Sequence, residues 1–383
     1  MPNYRIAKTA ELDLLFYWLE EQLRELRAAN PDHAVLLNYL DQEYKRAEGK
    51  LSLLEAVVAL NDPNFEKRAD KLSHDLSRYV VPTANYYIAG LKCQVPRGRR
   101  VRKVLLGLCQ RLRLDWIEDI LTCLHRDMAI LAEYRGQFTI PVFFGPPYLF
   151  ETILEVPGIY HEFGHSVFAR DEVFRQDLSA VVKTHFTQLK QQHAPISPDQ
   201  KVLRDKELDG AEASWSGLWL AEIFCDLFAS YVCGPAYLAS MVDLGRARGF
   251  PPFTLASNSH PPNGARVLGA YLALSDQQRQ HPTVQKIYAA WQNFTNNFTS
   301  GQDYKFRCSE ELLQALAQGV YALIAKHLPD VPRYTKTPTD LATARKVQAG
   351  IPLEELINAG VSILFEAPDE FAAWQKSARL LIN

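Results

Sequence analysis

The chain has 383 residues, 47% hydrophobic and 22% charged, a balance that excludes the disordered and fibrous classes and leaves material for a large core. Its formal net charge of −2 calls for neither nucleic acid nor an anionic membrane as partner. Six cysteines without a C-x-x-C pair exclude a zinc ribbon and a dense disulfide framework. The opening "MPNYRIAKTAELDLLFYWLEEQ" lacks the apolar core of a signal peptide, so a cytoplasmic setting is expected.

Residues 1–135 read as a helical N-terminal region. Leu12, Leu15, Phe16, Leu19, Leu23 and Leu26 recur at helical spacing, and Asn30-Pro31 ends that helix. A second helix is expected over about 34–60, and Asp62-Pro63 supplies a further helix start. Two more helices are expected at Val101–Leu112 and Asp115–Tyr134. The basic run "PRGRRVRK" reads as a solvated loop opening the first of these, given the neutral chain total.

Residues 136–282 change in texture. In "QFTIPVFFGPPYLFETILEV", β-branched and aromatic runs flank Gly145-Pro146-Pro147, which predicts strands at Phe138–Phe144 and Leu149–Val156. Helical texture returns at Pro157 or Gly158. The polar segment Lys183–Leu208, with two prolines, reads as an insertion or a mobile loop. A helix is expected over Asn263–Leu274 after the "HPP" turn. Residues 283–383 form a helical C-terminal region, with Thr337 as N-cap and Asp340 three residues on. The fold expected is mainly α with a small β element beside the central helices.

The chemistry begins at His161-Glu162-Phe163-Gly164-His165, an H-E-x-x-H. On a helix both imidazoles leave one face a turn apart and can share one cation; neutral imidazole suits zinc. Glu162 lies beside them as a proton acceptor for an activated water. Chance yields the pattern in roughly 1% of chains this long at ordinary composition. The apolar flanks Val156, Ile159, Phe163, Val167 and Phe168 would bury the histidines, which then need polar partners.

The second signal is "LWLAEIFCDLFASYV", an apolar helix carrying Glu222 and Asp226 four residues apart. Read as part of a membrane span over Leu218–Val242, it would hold two charges near the bilayer centre at roughly 2.5–3.5 kcal/mol each. No membrane span is therefore expected. A buried carboxylate becomes affordable as a metal ligand, so Glu222 completes a His161/His165/Glu222 set. Asp226, one turn on, is expected to accept the second N–H of a ligand histidine, His161 by preference.

H-E-x-x-H followed by a helical E-x-x-x-D resembles the gluzincin metallopeptidases. "SNSHPPNGARVLGAYLAL" further resembles the S-x-H-P-x-x-x-x-R element of the M48 peptidases, the CAAX-protease and HtpX-like group. The likeness covers roughly 156–274 in three short motifs. It implies a zincin-like metallopeptidase core with helical N- and C-terminal extensions. It also implies that His260 steadies the oxyanion of a peptide carbonyl and that Arg266 pairs with a carboxylate behind the site. Many members of that group are membrane-embedded, whereas this chain lacks convincing spans.

The function expected is a zinc-dependent peptidase acting on a peptide or protein substrate, with Zn2+ as cofactor. The alternative is a non-catalytic helical scaffold, its flanks binding a protein partner and its metal site structural or vestigial.

Overall fold

Helix dominates the computed structural model of the chain. It describes scattered positions between 17 and 56, then residues 96–124, 129–131, 141–145, 153–192, 198–247, 249, 251–255, 260–346, 350–378 and 381. The expected helix starts and stops at Asn30-Pro31 and Asp62-Pro63 lie outside the described residues. Two compact units emerge: residues 1–110 with 114–147, and residues 111–113 with 148–383.

In the first unit the described positions between 17 and 56 are helical, with Leu23, Leu37 and Leu51 buried. Helix α1 (Pro96–Arg111) covers most of the Val101–Leu112 helix expected. Its end is well defined: Arg113 takes φ 54°, and the amide of Leu114 returns to the carbonyl of Cys109 at 2.9 Å. That left-handed closure directs the chain out of the helix. The helix expected at Asp115–Tyr134 does not form. Two short strands stand there instead, β1 (Leu121–Leu124) and β2 (Ala129–Leu131), both paired with β3 (Val142–Gly145).

β1 runs parallel to β3, with Leu121 opposite Val142; β2 runs antiparallel, with Ala129 opposite Phe144. Short apolar runs fit either period, and the Asp119 carboxylate, which accepts from Arg102 Nε and the amide of Ile120 (2.7 Å each), favours a turn before β1. β3 overlaps the end of the first strand expected, at Phe138–Phe144, and runs one residue past it. The second, at Leu149–Val156, is corrected over its described residues: Ile153–Glu155 is a 3₁₀ turn leading directly into a helix whose first turn holds Pro157. Proline is preorganised for that position, and it overrides the β-branched texture.

The second unit is a helical assembly around one apolar rod. Its elements are α2 (Val156–Arg170), α3 (Glu172–Gln192), α4 (Pro198–Ser214), α5 (Leu218–Cys233), α6 (Pro235–Ala247) and α7 (Asn263–Leu272). There follow α8 (Asp276–Arg279), α9 (Pro282–Thr295), α10 (Gln302–Arg307), α11 (Glu310–His327), α12 (Leu341–Ala344), α13 (Leu353–Glu366) and α14 (Pro368–Ala378). Helix α5 is the rod: from Leu220 to Cys233 it is buried apart from Ala221, and α2, α6, α7, α11 and α13 pack around it. Gly234, at φ 58°, separates α5 from α6, and a β-carbon there would collide with the ring of Tyr334.

Within the polar segment Lys183–Leu208, read as an insertion or mobile loop, residues 183–192 and 198–208 are corrected to helix, and 193–197 lie outside the described residues. Phe174, Leu178, Val182 and Phe186 form a buried stripe four residues apart, so the polar residues are the outer face of α3. Pro198 then opens α4, and Lys190 ties the two helices through Asp209 (2.6 Å) and Glu212 (3.3 Å). The N-cap assigned to Thr337 is also corrected. Asp340 caps α12, accepting from the amide of Thr343 at 3.0 Å.

No single described helix is long and apolar enough to cross a membrane; α4 and α5, bent by 55°, pass that test only as a pair.

Candidate metal centre

α2 and α5 bring the two sequence motifs together because one residue between them has no side chain. A β-carbon on Gly164 would lie 2.8 Å from Cα of Cys225, so the helices touch backbone to backbone at this point. On either side of that contact, His161, His165, Glu222 and Asp226 face one another. The rings of His161 and His165 sit edge to face with centroids 5.0 Å apart.

Each oxygen of Glu222 faces one histidine: Oε2 lies 3.4 Å from His161 Nε2, and Oε1 lies 3.6 Å from His165 Nε2. Two ligand atoms on one tetrahedral zinc, at about 2.0–2.2 Å from it, sit about 3.4 Å apart. The spacing matches that of a ligand set. Glu222 Oε2 is also buried with no hydrogen-bond donor, although His161, His260 (3.4 Å) and Arg266 (3.7 Å) surround it. Those separations exceed hydrogen-bond length and suit a cation between the groups. The residues therefore fit a zinc ion.

Asp226 is fully buried and collects four donors. His161 Nδ1 lies 2.9 Å from Oδ1, Arg266 donates from Nε to Oδ2 and from Nη2 to Oδ1 at 2.7 Å each, and the Tyr237 hydroxyl donates to Oδ1. Burial opposes ionisation of Asp226, but the Arg266 guanidinium overcomes it and holds the carboxyl well below the usual range. An ionised Asp226 keeps the proton of His161 on Nδ1. Nε2 then turns toward Glu222, as a metal ligand requires.

The charges follow from this arrangement. Burial opposes protonation of His161, yet the attraction of Asp226 and Glu222 lifts its pKa to about 9. Burial and the neighbouring His161 charge lower His165 to about 4, leaving it neutral. Burial works against ionising Glu222, but His161 and Arg266 bring its pKa below the ordinary value, so it is an anion.

Glu162 is buried and close enough for its charge to act on His161 and Cys225. His260 precedes α7, and its half-exposed side chain points Nε2 at Glu222; burial lowers its pKa, favouring neutral imidazole. Arg266, on the first turns of α7, is buried against Asp226.

Two participants escaped the sequence reading. Tyr237, on α6, has nothing to distinguish it among 17 tyrosines. Cys225 sits in "EIFCD", but a search for C-x-x-C pairs passes over it. One ligating atom each of His161, His165 and Cys225 lie within 4.8 Å of one another, making a buried cluster able to hold a metal. Burial pushes the Cys225 thiol far up, so without a cation it keeps its proton, whereas Glu222 is an anion facing both imidazoles. Either side chain stands where a third ligand would be needed beside His161 and His165.

Helix α13 braces the centre from behind. Tyr160, next to His161, donates to Glu354 Oε1 at 2.7 Å, and Asn358 donates to the carbonyl of Cys233 at the end of α5 at 2.8 Å. No protein-family profile, curated protein or solved structure matches the chain, so its likeness to the M48 peptidases rests on the three motifs alone.

Proposed function

We propose that the protein is a zinc-dependent peptidase of the gluzincin type, similar to the M48 group. One observation carries the reading: the Nε2 atoms of His161 and His165 lie 3.4 and 3.6 Å from the two oxygens of Glu222, while Asp226 holds the far nitrogen of His161. His161, His165 and Glu222 would hold the ion. Zinc there supplies Lewis acidity, polarising a carbonyl and bringing the pKa of water toward ~7.

The chain's own residues do the rest. Glu162 accepts the proton of the attacking water and returns it to the leaving amine. His260, neutral and half-exposed beside Glu222, donates to the carbonyl oxygen as negative charge develops there. Asp226, neutralised by Arg266, fixes His161 and takes no part in proton transfer.

Metal analysis of the purified protein tests the site: about one zinc per chain is expected, lost in both His165→Ala and Glu222→Ala. A folded wild type that neither carries zinc as purified nor takes it up when zinc is added would sink the reading. Glu162→Gln should retain zinc and lose ~10²–10⁴-fold in turnover of a peptide substrate. Unchanged turnover would overturn the role given to Glu162.

A further inference from the structure

The centre offers two different third ligands on one helix. Glu222 presents oxygen, and Cys225, three residues on, presents sulfur within 4.8 Å of a ligating atom of each histidine. Two ligand atoms of a tetrahedral ion, nitrogen at about 2.0–2.1 Å and sulfur at about 2.3 Å, are about 3.6 Å apart. The sulfur thus lies within roughly an ångström of a bonding position. His165, the less buried of the two histidines, has room to make that adjustment.

We propose that the site has a second binding mode, His161/His165/Cys225, that takes soft thiophilic cations such as Cd2+ or Cu+. This mode rests on the metal-site reading above. Softness decides between the two: thiolate outcompetes carboxylate for a soft ion and gains less with zinc. Gly164 makes the mode accessible, because with only hydrogen at that position the histidine helix rests directly on Cys225. Coordination forms a metal–sulfur bond and breaks the S–H bond, and the proton passes to solvent. With Cys225 bound, Glu222 is released from its ligand role.

The probe is Cd2+ added to reduced, metal-free, full-length protein, read by ultraviolet sulfur-to-cadmium charge-transfer absorption and by bound-metal stoichiometry. The expected result is about one Cd2+ per chain with a charge-transfer band, the band vanishing in Cys225→Ala, Cys225→Ser and His165→Ala. Thermal unfolding of the metal-free variants verifies that each is folded. One Cd2+ per chain, lost in His165→Ala but with no band dependent on Cys225, overturns the second mode and leaves the zinc site standing. A wild type that binds neither Cd2+ nor Zn2+ overturns both.

Discussion

Gly164 and Cys225 touch with no side chain between them, and this contact sets the distance between the helix carrying both histidines and the helix carrying Glu222. Gly164→Ala would force the helices apart. A loss of roughly 1–3 kcal/mol in stability is expected from overpacking a filled core. Zinc affinity should fall with it, because Glu222 moves with α5. Denaturant unfolding and a chelator competition would show both losses; a stable Gly164→Ala protein with wild-type zinc affinity would contradict this view of the contact.

Asp226 and Arg266 form a buried pair whose members depend on each other. Asp226→Asn keeps the shape and strands a guanidinium in the core. Removing one partner of such a pair typically costs ~3–5 kcal/mol. The variant should also bind zinc ~10–100-fold more weakly, since the tautomer of His161 is no longer fixed. Chemical denaturation and metal titration of the same preparation check the two effects separately.

Tyr237 reaches the centre from α6 and shares Asp226 with His161, its hydroxyl lying 3.2 Å from His161 Nδ1. Tyr237→Phe deletes one hydrogen bond and leaves Asp226 its other three donors. The expected cost is about 1 kcal/mol in unfolding free energy. Zinc affinity should drop by less than in Asp226→Asn. The ranking of the two variants is the measurement: an equal or larger loss in Tyr237→Phe would show that the hydroxyl, rather than the carboxylate, orients the ring.

Glu155 precedes the first turn of the histidine helix, and burial raises its pKa from 4.5 to about 7. A carboxyl that holds its proton more tightly when folded favours the folded state while protonated in it. Below 4.5 both states are protonated and that contribution is fully present. As pH rises from there toward 7 the unfolded chain ionises first, so stability falls across that window. Glu155→Gln should flatten this part of the profile, as urea unfolding from pH 4 to 8 would reveal; an unchanged slope would place the titration elsewhere.

The helix bearing the histidines was legible because burial on one face leaves a helical pattern, as in Val156, Ile159, Phe163 and Val167; the stripe Phe174, Leu178, Val182 and Phe186 of α3 was hidden behind its polar outer face. The mainly helical fold follows from such patterns. β1 and β2 were not legible: three or four apolar residues carry no period, and the left-handed turn at Arg113 that ends α1 has no glycine to announce it. Within the centre, Glu222 and Asp226 stood out as carboxylates among apolar neighbours. Tyr237 did not, because its role depends on where α6 folds back after Gly234. Cys225 was hidden for the opposite reason: a cysteine in an apolar helix looks like any buried residue until a glycine from another helix is placed against it.

The four-donor arrangement at Asp226 has a consequence for metal exchange. Glu222 and Asp226 are matched by Arg266 and a protonated His161, with Glu162 a further carboxylate beside them, so without an ion the cage still holds cations among its carboxylates and has little repulsion to drive it open. Zinc fingers collapse when stripped because the ion is their core. Here the apoprotein should survive a chelator as a folded species and reload without refolding. On the peptidase reading proposed above, activity would then follow the local supply of zinc.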